Sequence, residues 1–274
     1  MIIDGKALAE ENMKRLQLER TTLPERLPLG VVMAKGDAAV DSFVRIKERV
    51  AGRLNVTLVR EELGEGAATA DAVAAVGRLA SRCYGIIVQL PLPPAIDVER
   101  ALASVPPFRD VDAINPLVPD EARLVQAPVA EAVAKIFEYA NVRPHGKKAA
   151  VIGQGRLVGK PVAHLLKKLG AHVSVITEGS GSLSELSEAD IIVSGAGKPG
   201  IIMPAFIKNG VVLIDAGTSE ADGKIAGDAN PSCADKASVF TPVPGGVGPV
   251  AVTMIFENLF TLAEGAARQP GLTH

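Results

Sequence analysis

The sequence predicts an α/β protein of two units, each a parallel sheet with crossover helices. Three observations carry this expectation. Strand-like runs rich in Val, Ile and Leu alternate with segments of helical period along most of the chain. The pattern restarts near residue 146, after the turn stretch PHGKK (144–148). At that restart a strand runs straight into a glycine turn and then a helix.

Taken in order, LGVVMAK (29–35) and NVTLVREEL (55–63) read as strands with polar flanks. Between them, residues 41–54 place Phe43, Ile46, Val50 and Leu54 at helical spacing behind Asp41 or Ser42 as cap. Residues 68–81 read as a helix. Residues 84–93 read as a buried strand stopped by Pro91 and Pro93, and 97–105 as a short helix. A helix over 128–142 leads to the turn. The second unit then runs as strand 148–153, helix 159–170, strand 172–177, a GSGS loop, helix 183–189, strand 191–195, helix 203–209 and strand 211–216. The tail, 250–267, has the pattern of an amphipathic helix. No internal repeat or low-complexity tract interrupts the pattern.

The chain has 274 residues, 47% of them hydrophobic, enough to bury a sizeable core. Aromatic residues are 3% and Trp is absent, so Ala, Val, Leu and Ile must build that core. A net charge of -2 gives no reason to expect nucleic acid or an anionic membrane surface as partner. Cys83 and Cys233 stand far apart and without metal spacing, as reduced thiols do in a cytoplasmic protein. The start meets charge at Asp4, which leaves no apolar stretch of signal-peptide length. No run reads as the roughly 20 consecutive apolar residues that span a bilayer. A cytoplasmic protein without metal is expected.

VIGQGRLVG (151–159) has the context of a dinucleotide turn. Gly153 ends the strand, Gly155 lets the backbone approach a pyrophosphate, and the helix opening at Gly159 offers free N–H groups. The spacing is one residue longer than the commonest fingerprint, and glycine turns of this kind also occur without a ligand. Glu178 follows the next strand, where a carboxylate can accept bonds from ribose hydroxyls and repel a 2′-phosphate. It also reads as a solvated loop charge. Arg156 is the cation in the turn that could serve NADP.

Other residues gather elsewhere. Phe43 and Lys47 share a helix face, the ordinary pattern of a core ring beside a snorkelling lysine. Gln89 ends a strand of a parallel sheet, where α/β proteins bind ligands. Asp110 and Asp112 sit in a loop, where aspartates commonly serve local turns. TPVPGGVGPV (241–250) is stiff and glycine-rich just before a helix, which permits close backbone approach to something flat.

Together FVRIK, GIIVQLPLP, RDVDAINP, VIGQGRLVG, GKPG followed by LIDAGT, GKIAGD and TPVPGGVGPV resemble, in order and spacing, the bifunctional methylenetetrahydrofolate dehydrogenase/methenyltetrahydrofolate cyclohydrolase family. The resemblance spans nearly the whole chain. VQLPLP and TPVPGGVGP carry most of its specificity.

The resemblance implies a folate-binding unit, 1–125 with 250–274, and a Rossmann unit, 126–249, with a cleft between them, in a homodimer. It implies oxidation of methylenetetrahydrofolate by NAD(P), then hydrolysis to formyltetrahydrofolate, supplying formyl groups for purine synthesis or running in reverse. It assigns Lys47 to the hydrolytic step, Gln89 to positioning that lysine and Asp112 to the pterin. Phe43, Leu90, Pro91, Gly245 and Gly248 would line the folate. Gly153, Gln154, Gly155, Arg156, Val158, Gly159, Glu178, Gly197 and Thr218 would meet the dinucleotide.

This chain departs from the family pattern at several places. Phe43 stands for a tyrosine. Gln154-Gly155 stands for Arg-Ser, and Glu178 for Ser or Arg, which moves the expectation from NADP towards NAD. VQAPVA (125–130) replaces PCTPxG, and Ala113 replaces the glycine of DVDG. Three other readings remain compatible: a dehydrogenase whose cyclohydrolase step is weakened by Phe43, an enzyme for a related pterin carrier, and a silent folate- and nucleotide-binding homologue. A plain Rossmann dehydrogenase would leave VQLPLP and TPVPGGVGP without a role.

Overall fold

The computed structural model describes residues 1–221 and 224–268. Its elements, in order, are α1 (Gly5–Glu19), β1 (Pro28–Ala34), α2 (Ala38–Arg53), β2 (Thr57–Leu63), α3 (Thr69–Ala80), β3 (Gly85–Val88), α4 (Val98–Ala103), α5 (Pro128–Tyr139), β4 (Lys148–Ile152), α6 (Gly159–Lys168), β5 (His172–Ile176), β6 (Ile191–Ser194), β7 (Val212–Asp215), β8 (Ser219–Ala221), β9 (Lys224–Ala226), β10 (Val239–Phe240) and α7 (Val247–Arg268). The chain divides into two compact units. One joins Glu11–Pro128 to the chain from Val252 onward; the other joins Met1–Glu10 to Val129–Ala251.

The first of these is built on a three-stranded parallel sheet in the order β2-β1-β3. β1 is central, and its alternating side chains feed two cores. Leu29, Val31 and Met33 pack with Met13, Leu16, Val40, Val44 and the α7 residues Phe256, Leu259 and Phe260. Val32 points the other way, into the cluster of Ala72, Val76, Leu79, Ile86 and Leu102. Because β2 and β3 flank β1 on opposite sides, the carboxyl ends of β1 and β3 frame a switch point. Gln89 lies there, its N–H bonded to the Val32 carbonyl at 2.8 Å.

The other unit carries a five-stranded parallel sheet in the order β10-β7-β6-β4-β5, with the hairpin β8-β9 beside it in sequence. The chain steps from β4 out to β5, then crosses back to β6 on the far side of β4. That reversal puts the switch point at the end of β4, where the glycine turn begins.

Several local expectations need adjustment. α2 starts at Ala38, ahead of Asp41 and Ser42, because Asp37 Oδ1 accepts from the Ala39 and Val40 N–H groups, each at 2.9 Å. The helix therefore buries Val40, Val44 and Ala51, and Phe43 is left 41% exposed. The strand over 84–93 shortens to β3, and the Leu90–Pro91 peptide is cis. The helices expected over 183–189 and 203–209 are 3-10 turns, Leu183–Ser187 and Pro204–Phe206. α1, β10 and the β8-β9 hairpin were not anticipated. Asp4 caps α1 through the Lys6 and Ala7 N–H groups at 3.0 Å, and Ala9, Met13 and Leu16 form its buried stripe. Contrary to the sequence expectation, Val247–Ala266 is long and apolar enough to cross a membrane. It is 67% buried, as a core helix is.

Candidate active site

In the three-stranded unit, Lys47 on α2 donates from Nζ to Gln89 Oε1 at 2.8 Å. The Gln89 amide nitrogen in turn donates to the Leu90 carbonyl at 2.8 Å, which fixes the face the amide offers to the lysine. Burial pushes the Lys47 pKa down, and the negative charge of Asp112 opposes that push. Asp112 moves the other way. Burial raises its carboxyl to about 7, Lys47 lowers it and Asp110 raises it.

The two loop aspartates therefore differ in kind. Asp110 accepts from the Asn115 N–H at 2.8 Å and faces Arg123 at 3.9 Å, which makes it a tie within its own loop. Asp112 is coupled to the lysine. Ala113, the residue after it, holds a left-handed backbone with φ 54°, the conformation that a glycine takes most easily. Phe43 lies one helical turn before Lys47 with its ring exposed, and Pro91 is exposed beyond half-buried Leu90. A half-buried amine of lowered basicity, oriented by an amide and under the charge of a carboxylate, is suited to proton transfer.

In the five-stranded unit the glycines have distinct duties. Gly153 has φ 95°, and a Cβ there would lie 2.8 Å from the Gly195 carbonyl oxygen. A Cβ on Gly159 would overlap the Gly153 carbonyl. These two let the turn fold against its own protein. Gly155 is different: a Cβ there would meet nothing within 4 Å. Gln154 and Gly155 are exposed at the mouth of the turn, with Arg156 half-buried behind them. α6 begins after Val158 without a side-chain cap, and its first turn leaves only the Gly159 N–H for an anion, because the Lys160 N–H bonds the Gly155 carbonyl at 3.0 Å, residue 161 is proline and the Val162 N–H bonds the Val158 carbonyl at 3.0 Å. Gly197 (φ 65°) follows β6, and exposed Thr218 follows β7. Open space at Gly155, the Gly159 N–H and a switch point together fit a dinucleotide.

Glu178, past the end of β5, is paired with Lys198 Nζ. That hydrogen bond and the lysine's charge hold its carboxyl below the usual range. Gly245 (φ 106°) and Gly248 lie in the same unit, and a Cβ on either would meet nothing within 4 Å.

The model of the tetrahydrofolate dehydrogenase/cyclohydrolase catalytic domain matches residues 3–112. The model of the NAD(P)-binding domain of the same proteins matches residues 127–267. The chain belongs to the tetrahydrofolate dehydrogenase/cyclohydrolase family. It is 36% identical to the bifunctional protein FolD of Magnetococcus marinus, with 97% of each chain covered. A solved structure of the Trypanosoma brucei methylenetetrahydrofolate dehydrogenase-cyclohydrolase, complexed with NADP cofactor and inhibitor, superposes with TM-score 0.91 at 31% identity, covering 98% of each chain. The bifunctional FolD enzyme of Campylobacter jejuni superposes with TM-score 0.90 at 29% identity, covering 97% of this chain and 99% of that one.

For this family member, the sequence pointed to Lys47, Gln89 and Asp112, and the structure brings them into one unit. It did not point to Lys198 as the partner of Glu178. Nor did it point to Ser194, Asp215 and Asp228, which meet in the interior of the five-stranded unit. LIDAGT and GKIAGD were visible as motifs, but nothing in their spacing said that their aspartates meet.

Proposed function

We propose that this enzyme oxidises methylenetetrahydrofolate to methenyltetrahydrofolate with a nicotinamide dinucleotide, and hydrolyses that product to formyltetrahydrofolate, with Lys47, Gln89 and Asp112 as its working side chains. The observation that carries the assignment is the 2.8 Å bond from half-buried Lys47 to Gln89, with the charge of Asp112 acting on the lysine. When bound, the nicotinamide supplies the hydride acceptor. The chain's part in that step is to hold the dinucleotide at the Gly153–Gly159 turn, with its phosphates at Gly155 and the Gly159 N–H.

Hydrolysis falls to Lys47. Its neutral amine keeps one N–H on Gln89 and presents its lone pair to a water attacking the methenyl carbon. The water's proton passes to Lys47 as the C–O bond forms. It is then returned to the departing ring nitrogen as the C–N bond breaks, while the remaining hydroxyl proton leaves to solvent as the formyl C=O forms, so that one proton is released overall. A cationic methenyl substrate nearby lowers the lysine's basicity further, which keeps the amine neutral when it is needed. Asp112 grips the pterin through its N–H edge. Phe43 stacks its exposed ring on the folate but has no hydroxyl to offer.

Under the same reading NAD is the better cofactor. Glu178 stays ionised and opposes a 2′-phosphate, and Gln154 brings no positive charge to the turn. Lys198 offsets part of that repulsion, so NADP is disfavoured rather than rejected. The protein works as a homodimer, a reading supported by edge strand β5, whose Val173, Ser174 and Val175 are only half-buried. Light scattering that reports a monomer would remove that part.

The deciding experiment mixes the purified protein with methylenetetrahydrofolate and NAD or NADP, and follows reduced nicotinamide and the methenyl product together. Reduction is expected with both, with the larger kcat/KM for NAD, and methenyl should disappear faster than it does spontaneously. No reduction with either nucleotide would overturn the proposal, and a larger kcat/KM with NADP would overturn the NAD preference.

A further inference from the structure

The five-stranded unit buries two carboxylates that the reaction does not use. Asp228 is 0% exposed and Asp215 1% exposed. Asp228 accepts three bonds: from Ser194 Oγ at 2.6 Å, from the Ala196 N–H at 2.8 Å and from the Lys198 N–H at 2.7 Å. Asp215 accepts from the Gly217 N–H at 2.9 Å, the Ala229 N–H at 2.8 Å and the Asp228 N–H at 3.2 Å. The Asp215 N–H donates to Thr241 Oγ1 at 2.6 Å. The loop after β6, the loop after β7 and the segment 227–229 therefore hang on one node. Space is tight: a Cβ on Gly217 would overlap the Asp228 carboxylate, and one on Gly227 would overlap that of Asp215.

The loops held by this node lie past the carboxyl ends of β6 and β7, on the side of the switch point away from β5. In a doubly wound sheet this edge receives the far half of a dinucleotide. The loop after β6 contains Gly197 and Lys198, and the loop after β7 contains Thr218. The backbone of the loop after β6 is tied to the buried Asp228 carboxylate, while its exposed Lys198 side chain pairs with Glu178.

The geometry points to Asp228 as a positioning residue for the nicotinamide dinucleotide, acting through the Ala196 and Lys198 N–H groups to preform the loop that receives it. This inference rests on the proposed function, because it takes the dinucleotide as the ligand of this unit. Pre-organisation of this kind raises affinity by removing the cost of ordering the loop at each binding event. Asp228→Asn keeps the volume but turns an amide N–H₂ towards donors that need an acceptor.

The test measures NAD and NADP affinity of full-length wild type and Asp228→Asn by calorimetry, together with KM for the dinucleotide and for methylenetetrahydrofolate. Dinucleotide Kd and KM are expected to rise by about tenfold or more, while KM for the folate stays at the wild-type value. Equal changes in both KM values, or none, would overturn the inference, since a merely structural role moves both or neither. If Asp228→Asn does not fold, Ser194→Ala removes one of the three bonds. It should raise the dinucleotide Kd by about threefold, and an unchanged Kd would overturn the inference. Wild-type protein that binds a dinucleotide without turnover would sink the proposed function and leave this inference to stand on the Kd comparison. Wild type that binds neither nucleotide would sink both.

Discussion

Phe43 is the residue at which this chain's catalysis should depart most from its family's pattern, and Asp112 is the one whose protonation should show in its stability. Phe43 keeps an exposed ring one turn from Lys47 without a hydroxyl to share in the proton traffic. Phe43→Tyr should restore one hydrogen bond and speed methenyl hydrolysis by about fivefold, the equivalent of roughly 1 kcal/mol. Stopped-flow loss of methenyl absorbance measures it, and an unchanged or slower rate would show that the hydroxyl has no place in this version of the site. Asp112 is raised to about 7 and Asp215 to about 6, both by burial. The folded protein therefore holds these protons more tightly than the unfolded chain does. Their contribution to stability is complete below the unfolded value of 3.8 and is lost as pH rises through 6 and 7. The melting midpoint should fall between about pH 4 and about pH 7, and Asp112→Asn should flatten that slope and raise the midpoint at the alkaline end. A variant with the wild-type slope would place the titration elsewhere. At this scale the sequence was only half legible. The spacing of Phe43 and Lys47 alone reads as a core ring beside a snorkelling lysine. Only the neighbouring motifs single out the lysine. Asp215 and Asp228 stand 13 residues apart and meet through loop geometry, which no periodicity encodes.

Among the elements, the glycine turn and α2 show which local signals suffice. The strand–turn–helix over 148–168 was readable because β-branched residues, glycines and a helical period follow one another without interruption. What the letters did not separate was the purpose of each glycine. Gly159 is required by the Gly153 carbonyl that it touches, whereas Gly155 faces open space. Gly159→Ala should lower the melting midpoint by several degrees, because neither backbone segment can give way. Gly155→Ala should leave the midpoint unchanged and raise the dinucleotide KM by crowding the phosphates. A pair of thermal melts with matched kinetics decides it. If both variants were equally destabilised, Gly155 would be structural too. α2 was misphased at its start because Asp41 and Ser42 are both good caps. Asp37 takes the position because Gly36, with φ 78°, turns the chain there so that the carboxylate reaches two N–H groups. The short 3-10 turns were read as helices because their apolar spacing fits a helix, but Leu183–Ser187 and Pro204–Phe206 are too brief to complete a second α-turn.

On the scale of the whole molecule, the two units are interleaved along the chain. Residues 1–10 belong with 129–251, and the chain from 252 belongs with 11–128. The restart near 146 made two units visible, and the tail helix following the glycine loop was expected on the folate side. The role of the first ten residues was not legible, since MIIDGK shows neither strand alternation nor a helical stripe. Its meaning is tertiary. Ile3 is 0% exposed, its N–H donates to the Phe240 carbonyl at 2.8 Å, and the Gly5 N–H donates to the Gly245 carbonyl at 2.9 Å. The Phe240 N–H returns a bond to the Met1 carbonyl at 2.9 Å. The N-terminus thus extends the five-stranded sheet beyond β10 and braces the glycine loop 244–246, before the chain leaves for the other unit. Ile3→Ala should cost about 2–5 kcal/mol of unfolding free energy, the range for emptying a fully buried aliphatic site. Urea denaturation with and without saturating NAD distinguishes where the loss falls. A dinucleotide bound to the damaged unit restores stability in proportion to RT ln(1 + [L]/Kd), about 2.7 kcal/mol at a hundredfold excess over Kd. An Ile3→Ala protein with wild-type stability would mean that the bonds to Phe240, and not the buried side chain, hold this end of the chain in place.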